Sequence, residues 1–408
     1  MQVRFLTFLL LTLSASLLSA TTINVPADQP TIQDAINVAN TGDTVLVAPG
    51  TYAENINFLG KAITVKSSGG AKVTIIDGGK LGPVVTFATS ETSKSVLNGF
   101  TLQNGNSTFN SQYDGGGVYI SGASPTVSNN VIQNNGACNG GGGIAVEFSS
   151  ARILNNFIKN NSQSGCSGGI GGGGIAVGGA GSAYIFGNRI MNNSWGGNGG
   201  GITLFAAGTP TLQNNTISGN SSGGGQGGGI WIVNDSDALI VQNLFYANTA
   251  SQGGAIYLSM PSGTVGPVLV NNTIVGGSGA TQGSAVWAGG FDNQVSFYNN
   301  LMIGLVGQNA VYCDSTYSTQ PPVFTNNDAY SPKGSGLQGT CASEQGTNGN
   351  ISVGPLFVNP GTHNYQLQAT SPAVNAGDNS APSIPKKDLA GKTRVVGAAI
   401  DLGAYEVQ

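Results

Sequence analysis

The chain has 408 residues, 66 of them glycine, with only 8% charged side chains and a formal charge of -4. So sparse a charge, with no basic run, argues against nucleic acid as a partner and against electrostatic capture of anionic polymers unless bound cations intervene. The glycine content suits a turn-rich repeat, and the length suffices for one long array without division into globular domains.

Residues 1–20 read as a secretory signal: Arg4 gives a short positive region, Phe5 to Leu18 is apolar, and Ser19-Ala20 supplies small residues for cleavage. An uncleaved anchor is the alternative, but the apolar run is short for a span and no stop-transfer charges follow. No later stretch is apolar enough to cross a bilayer, so the expectation is a secreted or cell-surface protein without a membrane span after cleavage.

Residues 21–80 open the fold. Thr31 and Asp34 form a capping box, and Ile32, Ala35, Ile36 and Ala39 share one face of a short helix. Such a helix can plug the open end of a stacked array. Thr44-Val45-Leu46-Val47 and Ala62-Ile63-Thr64-Val65 then begin short strands.

Residues 81–330 repeat. Asn130, Asn156, Asn188, Asn215, Asn243, Asn272, Asn300 and Asn327 follow one another at intervals of 26 to 32 residues. An apolar side chain stands three residues before each, from Val127 to Phe324, and another two residues after most of them, from Ile132 to Met302. A second column, Asn135, Asn161, Asn193, Asn220 and Asn248, runs five residues behind. Upstream in each unit lies a glycine-led run such as Gly227-Gly228-Gly229-Ile230-Trp231-Ile232. The apolar runs are three or four residues long and alternate, which is strand chemistry. Each unit thus supplies three short strands, and stacked units give three parallel sheets with a step of about 4.8 Å. Asparagine suits the bends because it tolerates left-handed backbone and bonds to nearby peptides. A ladder of such amides would satisfy the bent backbone.

On these columns the chain resembles the right-handed parallel β-helix proteins of the pectin-lyase-like fold, with their asparagine ladder at the second turn. The resemblance implies an all-β, single-stranded right-handed solenoid. It leaves function open, because that fold hosts lyases, hydrolases, esterases, epimerases and non-catalytic adhesins. The entry segment Pro49-Gly50-Thr51-Tyr52-Ala53-Glu54-Asn55 resembles the start of pectin esterases, whose later catalytic motifs are absent here. Residues 331–408 hold a Gly, Ser and Thr-rich loop and then Ser371-Pro372-Ala373-Val374-Asn375-Ala376-Gly377-Asp378 and Asp401-Leu402-Gly403-Ala404-Tyr405-Glu406. This ending resembles the choice-of-anchor Q domain of bacterial surface and secreted β-helix proteins. No sorting motif follows it, so covalent anchoring is not expected.

Cys138 and Cys166, and likewise Cys313 and Cys341, lie 28 residues apart, which is one coil. Two bridges between neighbouring turns are expected in a secreted chain; buried thiols or a metal site are the alternatives, with no histidine nearby to support zinc. Lyase chemistry on this fold needs a base, and from Asn160 to Pro332 the only basic residue is Arg189, which also reads as a surface arginine. A glycosidase needs two facing carboxylates, and the close pair Asp235 and Asp237 reads equally as turn formers or calcium ligands. His363 reads as a turn residue, and Arg394 as an anchor pairing with carboxylates to close the last coil. No other cofactor and no structural metal are expected.

The positive signal is aromatic. Trp231, Tyr257, Trp287 and Tyr312 each follow the inward residue of a first strand, so alternation turns them outward. Four rings about 4.8 Å apart match the advance of a sugar chain and offer stacking faces. A self-stacked ladder under a loop is the structural alternative. The sequence therefore points to a monomeric, non-catalytic protein binding extracellular polysaccharide or cell-surface glycan, or serving as a rigid shaft. A polysaccharide lyase or glycoside hydrolase is the rival.

Overall fold

The computed structural model describes residues 20–107, 115–164, 169–260, 265–289 and 295–408. Among these, parallel sheets of 12, 11 and 11 strands run the length of the molecule, one strand of each per coil. The coils wind in the right-handed sense that parallel crossovers take. One coil comprises Ile230–Val233, Leu239–Val241 and Leu244–Tyr246. Pairing is in register from coil to coil, Ile230 with Ile256 and Leu212 with Ile240. The inward column of each sheet is apolar and buried: Ile230, Ile256, Val286 and Val311 on the first, Leu212, Ile240, Leu269 and Phe297 on the second, Ile217, Phe245, Ile274 and Met302 on the third. Every strand is too short to fold alone, and the stacked columns supply the contacts that hold it.

Both asparagine columns are ladders. Asn215 accepts the N–H and the side-chain amide of Asn188 at 2.9 and 3.0 Å, and donates its own amide to Asn243 and to the Ile185 carbonyl at 2.9 Å each. The second column repeats this pattern from Asn135 to Asn248 at the third turn. Asn350 extends the first ladder beyond Asn327. The left-handed backbone belongs to a different residue from the one expected. Asn129, Asn155, Asn214 and Asn271, each one position before a ladder asparagine, have φ of 56°, 54°, 58° and 53°. The left-handed residue swings the chain, so the next side chain points inward and joins the ladder.

The helix Ile32–Val38 plugs the N-terminal end, with Thr31 as its cap bonded to the Asp34 N–H. The first coils clamp it at both poles. Glu54 accepts the Ile32 and Gln33 N–H groups, and Lys61 Nζ donates to the carbonyls of Ile36, Asn37 and Ala39, charges placed to complement the dipole. At the other end the 3₁₀ turn Thr340–Glu344 closes the last coil and is tied to it by Cys313–Cys341, with a Cα separation of 5.6 Å. Cys138 is buried, and its expected bond to Cys166 lies outside the described residues, as does the expected leader up to Ser19.

Arg394 does not close the last coil. It sits in a C-terminal strap that folds back along the outside of the second turn. Four left-handed residues of successive coils donate side-chain amides to it: Gln242 to Lys387 O, Asn271 to Asp401 O, Asn299 to Asp378 O and Asn326 to Ala376 O. Leu301, Ile303, Leu367, Ala373 and Leu402 pack beneath it, and His363, itself in a turn, stacks on Tyr246 at 4.5 Å. Arg394 is fully buried within the strap, donating to the Asp401 and Gly403 carbonyls and paired with Glu406 at 3.8 Å. Burial pushes the Glu406 carboxyl up to about 7 and the guanidinium down to about 10.

Candidate functional site

The four first-strand aromatics do form one column: Trp231 pairs with Tyr257, Tyr257 with Trp287, and Trp287 with Tyr312. It is not an open platform. Tyr257 and Trp287 are each only 6% exposed, stacked at 4.3 Å and nearly parallel, while Trp231 and Tyr312 are half-buried. The glycines ahead of each strand are held tightly against it. A Cβ on Gly227, Gly253 or Gly283 would stand 2.9 Å from the Cα of Trp231, Tyr257 or Trp287 respectively. These turns therefore press on the backbone of the strand they lead into, and only glycine permits the approach. Burial also pushes the Tyr257 hydroxyl up to about 12.

A cleft does open nearby, at the turn between first and second strands. It has a volume of about 520 Å³ and is lined by Phe148, Phe205, Ala180, Ala206, Asp235 and Asp237. Phe148 is 69% exposed, and its ring lies over Gly179, where a Cβ would come within 2.6 Å of it. Phe205 stacks on Trp231 with centroids 6.4 Å apart, which links the cleft to the half-buried end of the aromatic column. The Asp237 carboxyl is raised by desolvation and by the neighbouring Asp235 charge, and its Oδ1 has no hydrogen-bond partner. Phe148 and Phe205 escaped sequence reasoning because both stand outside the regular column, Phe205 ending a first strand and Phe148 following one in left-handed backbone; an aromatic at such a strand end was the signal.

Arg189 is elsewhere. It lies on a third strand, exposed, with its guanidinium 4.7 Å over the Phe157 ring. The Asp pair sits on the turn between Ile230–Val233 and Leu239–Val241, so no base meets the carboxylates. The two acids also stand on one side of the cleft and do not flank a bond. Among the described residues no group of three or more His, Cys, Asp or Glu is placed to hold a metal ion. No described helix is long and apolar enough to cross a membrane.

Residues 167–302 match the family model of the right handed beta helix region. No curated protein matches the chain. A solved structure of pectate lyase Pel9A is similar over 92% of this chain and 91% of its own, at 16% identity and a TM-score of 0.52. The structure of XylC with xylose is similar over 80% and 84%, at 11% identity and a TM-score of 0.46. At such identity the likeness to the lyase extends to architecture alone: this chain is a right-handed parallel β-helix, built on the pectate lyase-like fold.

Proposed function

We propose that the protein is a secreted or cell-surface β-helix that binds extracellular glycans without cleaving them, with the first-turn cleft as its site. One observation carries this reading: the cleft joins aromatic rings, exposed Phe148 and the half-buried Phe205–Trp231 stack, to the carboxylates of Asp235 and Asp237. Rings stack on the apolar face of a sugar, and carboxylates accept bonds from its hydroxyls. Tyr312 extends the contact at the far end, while Tyr257 and Trp287 serve as the buried brace between them. The separation of Arg189 from the Asp pair supports binding over catalysis. The choice-of-anchor Q resemblance of the C-terminal strap supports a place at the cell exterior. Binding to a glycan array, with product release assayed on the same polymers, tests the proposal. Retention of a glycan by the wild type, lost in Phe148→Ala and Asp235→Asn, is expected. Release of cleaved product, abolished in Asp237→Asn, would instead establish a hydrolase.

A further inference from the structure

The only basic side chains between Lys94 and Lys333 are Arg152, Lys159 and Arg189. Stacking brings all three onto two adjacent coils: Arg152 opens a second strand, and Lys159 and Arg189 lie on the third strands that follow the second turn. Arg152 pairs in register with Tyr184, and Phe157 with Arg189. Each cation is braced by a ring: Arg152 lies 5.3 Å over Tyr184, while Lys159 and Arg189 lie 4.9 and 4.7 Å over the single ring of Phe157. The one ion pair among the described residues is Arg394–Glu406, so none of the three has a carboxylate partner. Two like charges held over one ring without a counter-charge favour an anion between them.

The same edge already binds polypeptide. Further along, its left-handed amides Gln242, Asn271, Asn299 and Asn326 hold carbonyls of the strap. Asn129 and Asn155 continue that column at the same turn, exposed and with side-chain amides unpaired among the described residues. We propose that this uncovered stretch of the second-turn edge docks an extended acidic segment of a partner protein, its carbonyls on Asn129 and Asn155 and its carboxylates on Arg152, Lys159 and Arg189. Three cations are too few for the dense phosphates of a nucleic acid, which calls for more contacts. Arginine forks suit carboxylates. Its residues are not among those that line the first-turn cleft, and the proposal stands independently of the glycan reading.

The probe is a fluorescein-labelled peptide of alternating Glu and Thr, about twelve residues long, enough at ~3.4 Å per residue to span the uncovered coils. Anisotropy titration of the whole protein should show binding that weakens as salt rises from about 20 to about 300 mM, and no binding of the Gln-Thr control. The triple variant R152Q/K159Q/R189Q should lose about tenfold or more in affinity, and Asn155→Ala a smaller factor. Should the triple variant melt early, Arg152→Gln and Arg189→Gln singly give the same readout in the folded protein. Equal affinity in wild type and variants, equal binding of the Gln-Thr peptide, or binding of polygalacturonate or duplex DNA in place of the Glu-Thr peptide would each overturn the proposal.

Discussion

Replacing Asn215 by leucine probes the ladder at its centre. The residue is fully buried. Leucine removes the acceptor for the Asn188 N–H and side-chain amide, and the donor to Ile185 O and Asn243 Oδ1. Asn188 Nδ2 keeps its bond to Ile153 O at 2.8 Å, but the Asn188 N–H is left buried and unpaired. One orphaned donor and three weakened partners amount to about 3 kcal/mol. An unfolding entropy near 2.1 cal/mol/K per residue over so long a chain converts that to a fall of roughly 4 °C in Tm. Circular dichroism melting reads the shift, and hydrogen exchange should show the Asn188 amide losing protection before that of Asn300. Asn129→Gly is the control: an exposed left-handed position suits glycine, so its melt should stay within about 0.5 kcal/mol of wild type. Equal shifts for the two variants, or none for Asn215→Leu, would refute the division of labour between ladder and left-handed residues.

Trp287→Ala should cost about 3–5 kcal/mol as a buried indole stacked on Tyr257, and half-buried Trp231→Ala clearly less; urea unfolding separates them. Reducing Cys313–Cys341, which closes 28 residues, should lower stability by about 3 kcal/mol or less and fray the last coil first, measured by melting with and without reductant. Asp328 is fully buried, accepts the Val353 N–H, and has a carboxyl pushed up to about 7 by desolvation. The folded state therefore holds its proton more tightly than the unfolded state, so stability should fall as pH rises from about 4 to about 7. Asp328→Asn should flatten that slope and raise Tm at pH 8, and an unchanged slope would refute the assignment.

The coil was legible because its determinants recur: Asn215 and Leu212 stand at the same offset in every unit, and the capping box of Thr31 and Asp34 is local. The register of Trp231, Tyr257, Trp287 and Tyr312 could be read for the same reason. Their burial could not, because alternation along one strand tells which side a ring takes and not what packs over that side once coils stack. The strap was hidden because the amides that receive it, Asn271 and Asn299, look like those of every other coil. Lys159 and Arg189 meet over the Phe157 ring only through the stacking of two coils, so charge counted along the chain reads as sparse where the folded surface gathers it.

The strap also gives the solenoid a direction of failure. A stacked array without cross-links peels from either end, one coil at a time. Here the coils from Gln242 to Asn326 are riveted sideways by four amide bonds to a segment that runs back over them, so the last coil cannot leave until the strap lifts. Under a pulling force the N-terminal coils, sealed by one short helix, should ravel first and in small steps. The strapped half should then give way as a single event.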